Sequence, residues 1–310
     1  MDLSVARIIS NTFLKTYSNF HFSYSLRIFL ILVLFGIIIS HYVNTSNQNL
    51  SAQLFFLFFT HLSVAENIQE SQSLENLFLN KNTQGTLVIY DHKNQQFIIK
   101  NTQRAKEAFY PASTFKIFHS LIALDQNVVS SVSEIFYKYD GSKVFLPSWA
   151  NDASLQSAIK ISQVPAYQKL ARLITLKGRQ EGLKKIGYGN TKTGNALTTF
   201  WLQGPLKISA IEQTILLDRL AHQELPFSKN DQKSVAKIIL LHKTDTYTLY
   251  GKTGWATDNI SIPIGWFVGW LETQENQYAF ALNINAPTSK ELPLREELVF
   301  EAFKKLKIIQ

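Results

Sequence analysis

Phe109-Tyr110-Pro111-Ala112-Ser113-Thr114-Phe115-Lys116 is the stretch from which the rest of the chain can be read. Beyond it the apolar residues Phe115, Ile117, Phe118, Leu121, Ile122 and Leu124 follow helical spacing, so a mostly buried helix is expected over 113–125. Pro111 cannot lie inside such a helix but fits at or before its start. Ser113 then falls in the first turn, where free backbone N–H groups and the positive helix end favour a developing anion. Lys116 is one turn further on the same face. A serine hydroxyl needs a base to become nucleophilic, and a lysine held neutral can supply one.

Ser-x-x-Lys by itself is a weak pattern, and it recurs at Ser157–Lys160 and Ser234–Lys237. Those lysines sit among polar residues typical of solvated helix faces. Only Lys116 is flanked on both sides by large apolar side chains, Phe115 and Ile117-Phe118. That burying context is what lowers a lysine pKa, so the pair Ser113 and Lys116 is the candidate.

Composition narrows the alternatives. The chain has 310 residues and no cysteine, which excludes disulfides, thiolate chemistry and cysteine-ligated zinc. Its seven histidines show neither His-x-His nor His-Glu-x-x-His spacing, so no metal is expected. The net charge of +8 is scattered, with no Arg/Lys run longer than two, and a nucleic-acid footprint is not expected.

Residues 1–65 read as an export segment and 66–310 as the functional domain. Arg7, Lys15 and Arg27 precede the apolar run Ile28–Ile39, which suits a signal h-region or a membrane anchor; a second run follows at Leu54–Phe59. Ser63-Val64-Ala65 is a small-x-small site, predicting a mature start at Glu66. Membrane contact is expected only through this segment.

In the domain, residues 66–82 read as a loose lead-in. Gly85–Tyr90 and Gln96–Lys100 read as a hairpin. Helices are expected over Ser154–Ile161, Pro165–Ile174 and Gln180–Ile186, with Pro165 holding Val164 out of the helical region. Trp201–Pro205 reads as a loop, and Ser209-Ala-Ile-Glu212 as a capping box opening a helix to about His222. A helix from Gln232 to Leu241 is expected next, then strands at Thr246–Gly251, Gly265–Glu272 and Tyr278–Asn285. Pro293 opens a terminal helix. Strands at both ends with helices between imply an α+β fold, an antiparallel sheet whose first strands pair with its last, beside a helical region.

Lys-Thr-Gly occurs twice. Lys192-Thr193-Gly194 lies in a polar loop and reads as a turn; Lys252-Thr253-Gly254 continues a strand and can present its groups to a substrate carboxylate. Ser-x-x-Lys on a helix followed by Lys-Thr-Gly on a late strand is the pairing found in penicillin-recognising serine acyl enzymes. Over about 84–307 the chain resembles a class D, oxacillinase-type serine β-lactamase. The resemblance is carried by Ser113-Thr-Phe-Lys116, Ser162-Gln-Val164, Tyr188-Gly189-Asn190, Phe-Trp201-Leu-Gln-Gly-Pro-Leu-Lys, Lys252-Thr253-Gly254-Trp255 and Leu-Pro-Leu-Arg295. The long, doubly hydrophobic N-terminus departs from that pattern.

The resemblance implies hydrolysis of penicillins and related β-lactams through an acyl-enzyme on Ser113, with Lys116 as base in the form of N6-carboxylysine. It implies no cofactor beyond the carbon dioxide or bicarbonate that makes this carbamate. Ser162 would relay a proton to the lactam nitrogen. Backbone N–H groups of Ser113 and Trp255 would form an oxyanion hole, and Lys252, Thr253 and Arg295 would hold the substrate carboxylate. Val164 and Trp201 would bracket Lys116, while Tyr188 and Asn190 shape the site wall. A β-lactam sensor or penicillin-binding protein that keeps its acyl adduct is the competing function. A bacterial periplasm, with or without an inner-membrane tether, is the implied location. Monomer and homodimer both remain open.

Overall fold

The computed structural model describes residues 67–310, so the export, cleavage and anchoring expectations lie outside the described residues. In chain order its elements are β1 (Ile68–Glu70), α1 (Gln72–Asn80), β2 (Gly85–Asp91), β3 (Gln96–Lys100), α2 (Thr102–Lys106) and β4 (Ala108–Phe109). A 3-10 turn, Ala112–Phe115, then runs directly into α3 (Lys116–Asp125). Next come α4 (Leu155–Lys160), α5 (Val164–Leu173), α6 (Leu176–Ile186), β5 (Ile208–Ser209), α7 (Ala210–Ala221) and α8 (Lys229–Ile238). The chain closes with β6 (Leu240–Lys243), β7 (Tyr247–Ala256), β8 (Ile264–Thr273), β9 (Gln277–Asn285) and α9 (Leu294–Lys305).

The large sheet has the order β1-β3-β2-β9-β8-β7-β6. β2 pairs antiparallel with β9, from Gly85–Ile284 to Asp91–Tyr278, so the first long strand meets the last as expected for this α+β fold. One pairing departs from the expected antiparallel sheet: β1 runs parallel to β3. β8 is buried from Ile264 to Leu271, because both sheet faces are covered. On one face Phe267 and Leu271 join Leu87, Ile89, Phe280 and Leu282 against α1 and α9, through Leu74, Leu77, Phe78, Leu298, Val299 and Phe303. α7 packs on β9, β2 and β8.

Four local expectations are corrected. The lead-in is not loose throughout: Ser71 caps α1 by accepting from Leu74 N–H, and Leu74, Leu77 and Phe78 bury one helical stripe. The helix expected to reach Leu241 ends at Ile238, because Leu240–Lys243 pair with β7 as an exposed edge strand, and that distant partner overrides local propensity. Val164 is helical, the first residue of α5, with Pro165 in the first turn. The chain breaks earlier, where Ser162 takes φ +56° and Gln163 is extended. Gln163 is held there as its Nε2 donates to the carbonyls of Trp149 (2.8 Å) and Asn151 (2.9 Å).

α6 starts at Leu176 rather than Gln180, capped by Thr175, and ends at Gly187 with φ +68°, a backbone shape that glycine adopts without strain. The capping box at Ser209 and Glu212 is complete in both directions.

Candidate active site

Ser113 sits in the 3-10 turn, between Ala112 and the apolar start of α3. Ala112 has φ +49°, a conformation costly for a side chain with a Cβ, and such strain persists only where surroundings impose it. Here Ala112 N–H donates to the Trp201 carbonyl at 3.0 Å, tying the turn to the Trp201 loop.

Lys116 is fully buried, unlike the lysines of the other two Ser-x-x-Lys patterns: Lys160 and Lys237 are both exposed. Its Nζ lies 2.6 Å from Ser113 Oγ and 3.4 Å from Ser162 Oγ. It also stands 5.3 Å from the centre of the Tyr167 ring. Burial, then the charge of Lys252, pushes the Lys116 pKa well below the usual lysine value. Lys116 forms no ion pair among the described residues. A neutral amine between two serine hydroxyls can accept a proton from one and serve the other.

β7 brings the second motif alongside. A Cβ placed on Gly254 would lie 3.1 Å from the Pro111 carbonyl oxygen, 3.1 Å from Thr114 Cγ2 and 3.3 Å from Ser113 N. Glycine therefore permits the strand to approach the nucleophile's turn. Gly251 N–H donates to the Ile239 carbonyl at 2.9 Å on the β6 side. Because amides alternate along a strand, Thr253 and Trp255 N–H face that same edge, beyond where β6 pairs. The Trp255 side chain turns elsewhere, its Nε1 donating to the Ala286 carbonyl at 2.9 Å.

Lys252 is buried, with its Nζ donating to the Thr253 carbonyl at 2.9 Å. Burial and the neighbouring Arg295 charge pull its pKa down to about 7. Arg295 reaches back from the first turn of α9. Its Nη1 donates to the Gly254 carbonyl (2.9 Å) and its Nε to the Leu292 carbonyl (2.8 Å), which leaves further N–H groups of the fork unused. Lys252 and Arg295 thus form a cationic pair into which no described carboxylate is paired, an arrangement that favours an anionic ligand.

Trp201 is completely buried and its indole N–H has no partner, so it remains a donor open to an added acceptor. Val164 opens α5 two residues after Ser162 and is half-buried. Among the described residues neither Tyr188 nor Asn190 hydrogen-bonds to Ser113, Lys116 or Ser162. Tyr188 is buried against Phe115 and Phe118, with ring centres 5.1 and 5.2 Å apart. Asn190 is exposed and closes its loop, donating to the Pro205 carbonyl and accepting from Lys207 N–H. Lys192-Thr193-Gly194 lies in a loop, with Lys192 exposed.

Sequence reasoning missed Tyr167 and His119. Tyr167 stands beside Lys116 and shares a 2.8 Å hydrogen bond with Ser120, while His119 is buried without a hydrogen-bond partner and its pKa falls to about 3 through burial. The one available signal was their position on the apolar faces of α5 and α3.

Comparison with known proteins agrees with this geometry. Residues 77–304 match the family described as the penicillin binding protein transpeptidase domain. The chain is similar to Beta-lactamase OXA-48 of Klebsiella pneumoniae, 39% identical over 247 residues, covering 80% of this chain and 92% of that protein. It is similar to Beta-lactamase OXA-10 of Pseudomonas aeruginosa, 32% identical over 76% of this chain and 89% of that one. Among solved structures it resembles FUS-1 (OXA-85), a class D β-lactamase from Fusobacterium nucleatum subsp. polymorphum, with a TM-score of 0.77, 53% identity and coverage of 78% of this chain and all of that chain.

Proposed function

The chain belongs to the class D β-lactamases, and from that premise we propose that it hydrolyses β-lactams through an acyl-enzyme on Ser113 with carbamylated Lys116 as the base. The observation that carries the reading is the buried Lys116 amine, 2.6 Å from Ser113 Oγ and within reach of Ser162 Oγ.

The neutral Lys116 amine adds carbon dioxide and releases a proton, which leaves a carbamate. The Trp201 indole N–H supports this assignment, since it is a buried donor with no acceptor of its own. In acylation Lys116 takes the Ser113 proton while Oγ attacks the lactam carbonyl carbon. The oxygen's developing charge is met by the N–H groups of Ser113 and Trp255, whose proximity follows from the close passage at Gly254. The C–N bond then breaks and Ser162 passes a proton to the departing nitrogen. Lys252, Thr253 and the unused donors of Arg295 hold the substrate carboxylate.

Deacylation repeats the sequence with water. Lys116 takes the water proton, hydroxide attacks the ester carbon, and Ser113 Oγ leaves with a proton. Tyr188 and Asn190 act indirectly, by packing behind the turn and by closing the loop beside it. Export to a bacterial periplasm belongs to the same reading and rests on the sequence of residues 1–65.

Mixing the full chain with a chromogenic cephalosporin, following absorbance and protein mass together, tests the proposal. Many turnovers per chain with a transient mass increase are expected. A single-equivalent burst with a persistent adduct would instead assign the chain to the sensor or penicillin-binding alternative.

A further inference from the structure

Away from Ser113, His92, Asp218 and His222 bring three metal-ligating side chains together, with one ligand atom from each lying within 4.8 Å of the others. Asp218 and His222 are four residues apart at the end of α7 and so share a face. His92 comes from the turn between β2 and β3. His92 Nδ1 lies 3.0 Å from Asp218 Oδ1, and His222 Nδ1 lies 3.6 Å from the same oxygen and 2.9 Å from the Asp218 backbone carbonyl, a contact that the ring must give up to turn toward an ion. Ligand atoms around a tetrahedral ion with bonds of about 2.0–2.1 Å are separated by about 3.3 Å, so both spacings bracket that value.

The Asp218 side chain is 11% exposed, and no lysine or arginine pairs with it among the described residues. Gln277 Nε2 stands 3.3 Å from Asp218 Oδ1, an outer donor able to orient the carboxylate. We propose that His92, Asp218 and His222 bind one divalent transition cation of the Zn²⁺ class, which ties the β2–β3 turn to the end of α7.

Two imidazoles with one carboxylate suit Zn²⁺, Ni²⁺ or Cu²⁺, whereas Mg²⁺ and Ca²⁺ prefer all-oxygen shells. The two rings are stacked, with centres 3.6 Å apart and planes 18° apart. Parallel rings cannot both aim a lone pair at one ion, so binding splays them, and their partial exposure leaves room for this. The role is structural. α7 begins beside β5, which pairs with Phe109, and Asp218 is a further eight residues along, about 12 Å from that end. Histidine spacing in the sequence gives no hint of the group, because only the fold places His92 beside α7.

Calorimetric titration of the full chain with Zn²⁺, together with its Tm with and without the ion, tests the assignment. One saturable site per chain and a raised Tm are expected, with both lost in His92→Ala and in Asp218→Asn and with no Tm change from Mg²⁺. Should Asp218→Asn fail to fold, His92→Ala, an alteration at a partly exposed turn, carries the test. Equal Zn²⁺ stoichiometry and affinity for the unaltered chain and His92→Ala would overturn the proposal.

Discussion

Gly254 passes so close to Ser113 that a Cβ at position 254 would stand 3.3 Å from the Ser113 backbone nitrogen. The nearest obstacles are a backbone carbonyl and a buried Thr114 methyl, and neither is the free end of a flexible chain. Gly254→Ala should therefore push β7 and the turn apart by a few tenths of an ångström. Given how steeply catalysis falls with misplacement, kcat/KM should drop about 10- to 100-fold while the chain stays folded. Steady-state kinetics beside circular dichroism check this; an unchanged kcat/KM would show that the close approach is dispensable.

Acylation should fall on Ser113 alone. Lys116 is buried whereas Lys160 and Lys237 are exposed, so only Ser113 has a neutral amine within reach. Peptide mapping after penicillin treatment should locate the adduct there, and an adduct on Ser157 or Ser234 contradicts the assignment.

Lys116 should depend on carbon dioxide. Activity is expected to fall in bicarbonate-free buffer at mildly acid pH, where protonated carbamate loses carbon dioxide, and to recover when bicarbonate is added. Lys116→Ala should acylate slowly and keep its adduct. Trp201→Ala removes the unpartnered indole donor and should increase the bicarbonate dependence. Equal turnover by depleted and replete enzyme would leave the base as the unmodified amine or another group.

Arg295→Ala should weaken kcat/KM for lactams that carry a carboxylate. One charge-assisted hydrogen bond contributes about 1.5–3 kcal/mol, hence a loss of about 10- to 150-fold. Arg295 also donates to the Gly254 and Leu292 carbonyls, so some stability should go with it. Urea unfolding separates the two effects. If kcat/KM holds while the midpoint falls, Arg295 only braces β7 against α9.

Stability should rise with pH through the range set by Lys252. Its folded pKa of about 7 lies below the ordinary lysine value near 10.4, so between them the unfolded chain binds the extra proton. Raising the pH removes that advantage of the unfolded state, and Lys116 acts in the same direction. In carbon-dioxide-free buffer the urea midpoint should climb from pH 7 toward 9, and Lys252→Met should flatten the slope. An identical slope in Lys252→Met would mean that Lys252 stays charged in the folded protein.

What the sequence by itself determined lies within short windows. The apolar neighbours of Lys116 distinguished it from Lys160 and Lys237, the Ser209–Glu212 box marked the start of α7, and short β-branched runs marked β2 and β3. Motif order then gave the family resemblance. Other features needed the tertiary structure, because they depend on which distant segments meet. α1 is stable because its stripe finds α9 and the sheet, and Leu240–Lys243 leave the helix because β7 offers a hydrogen-bonded edge. The passage of Gly254 over Ser113, the unpartnered Trp201 N–H, the link from Arg295 to Gly254 and the meeting of His92 with Asp218 all join residues far apart in the chain. Local propensity carries no term for such distances; packing of the two covered sheet faces sets them.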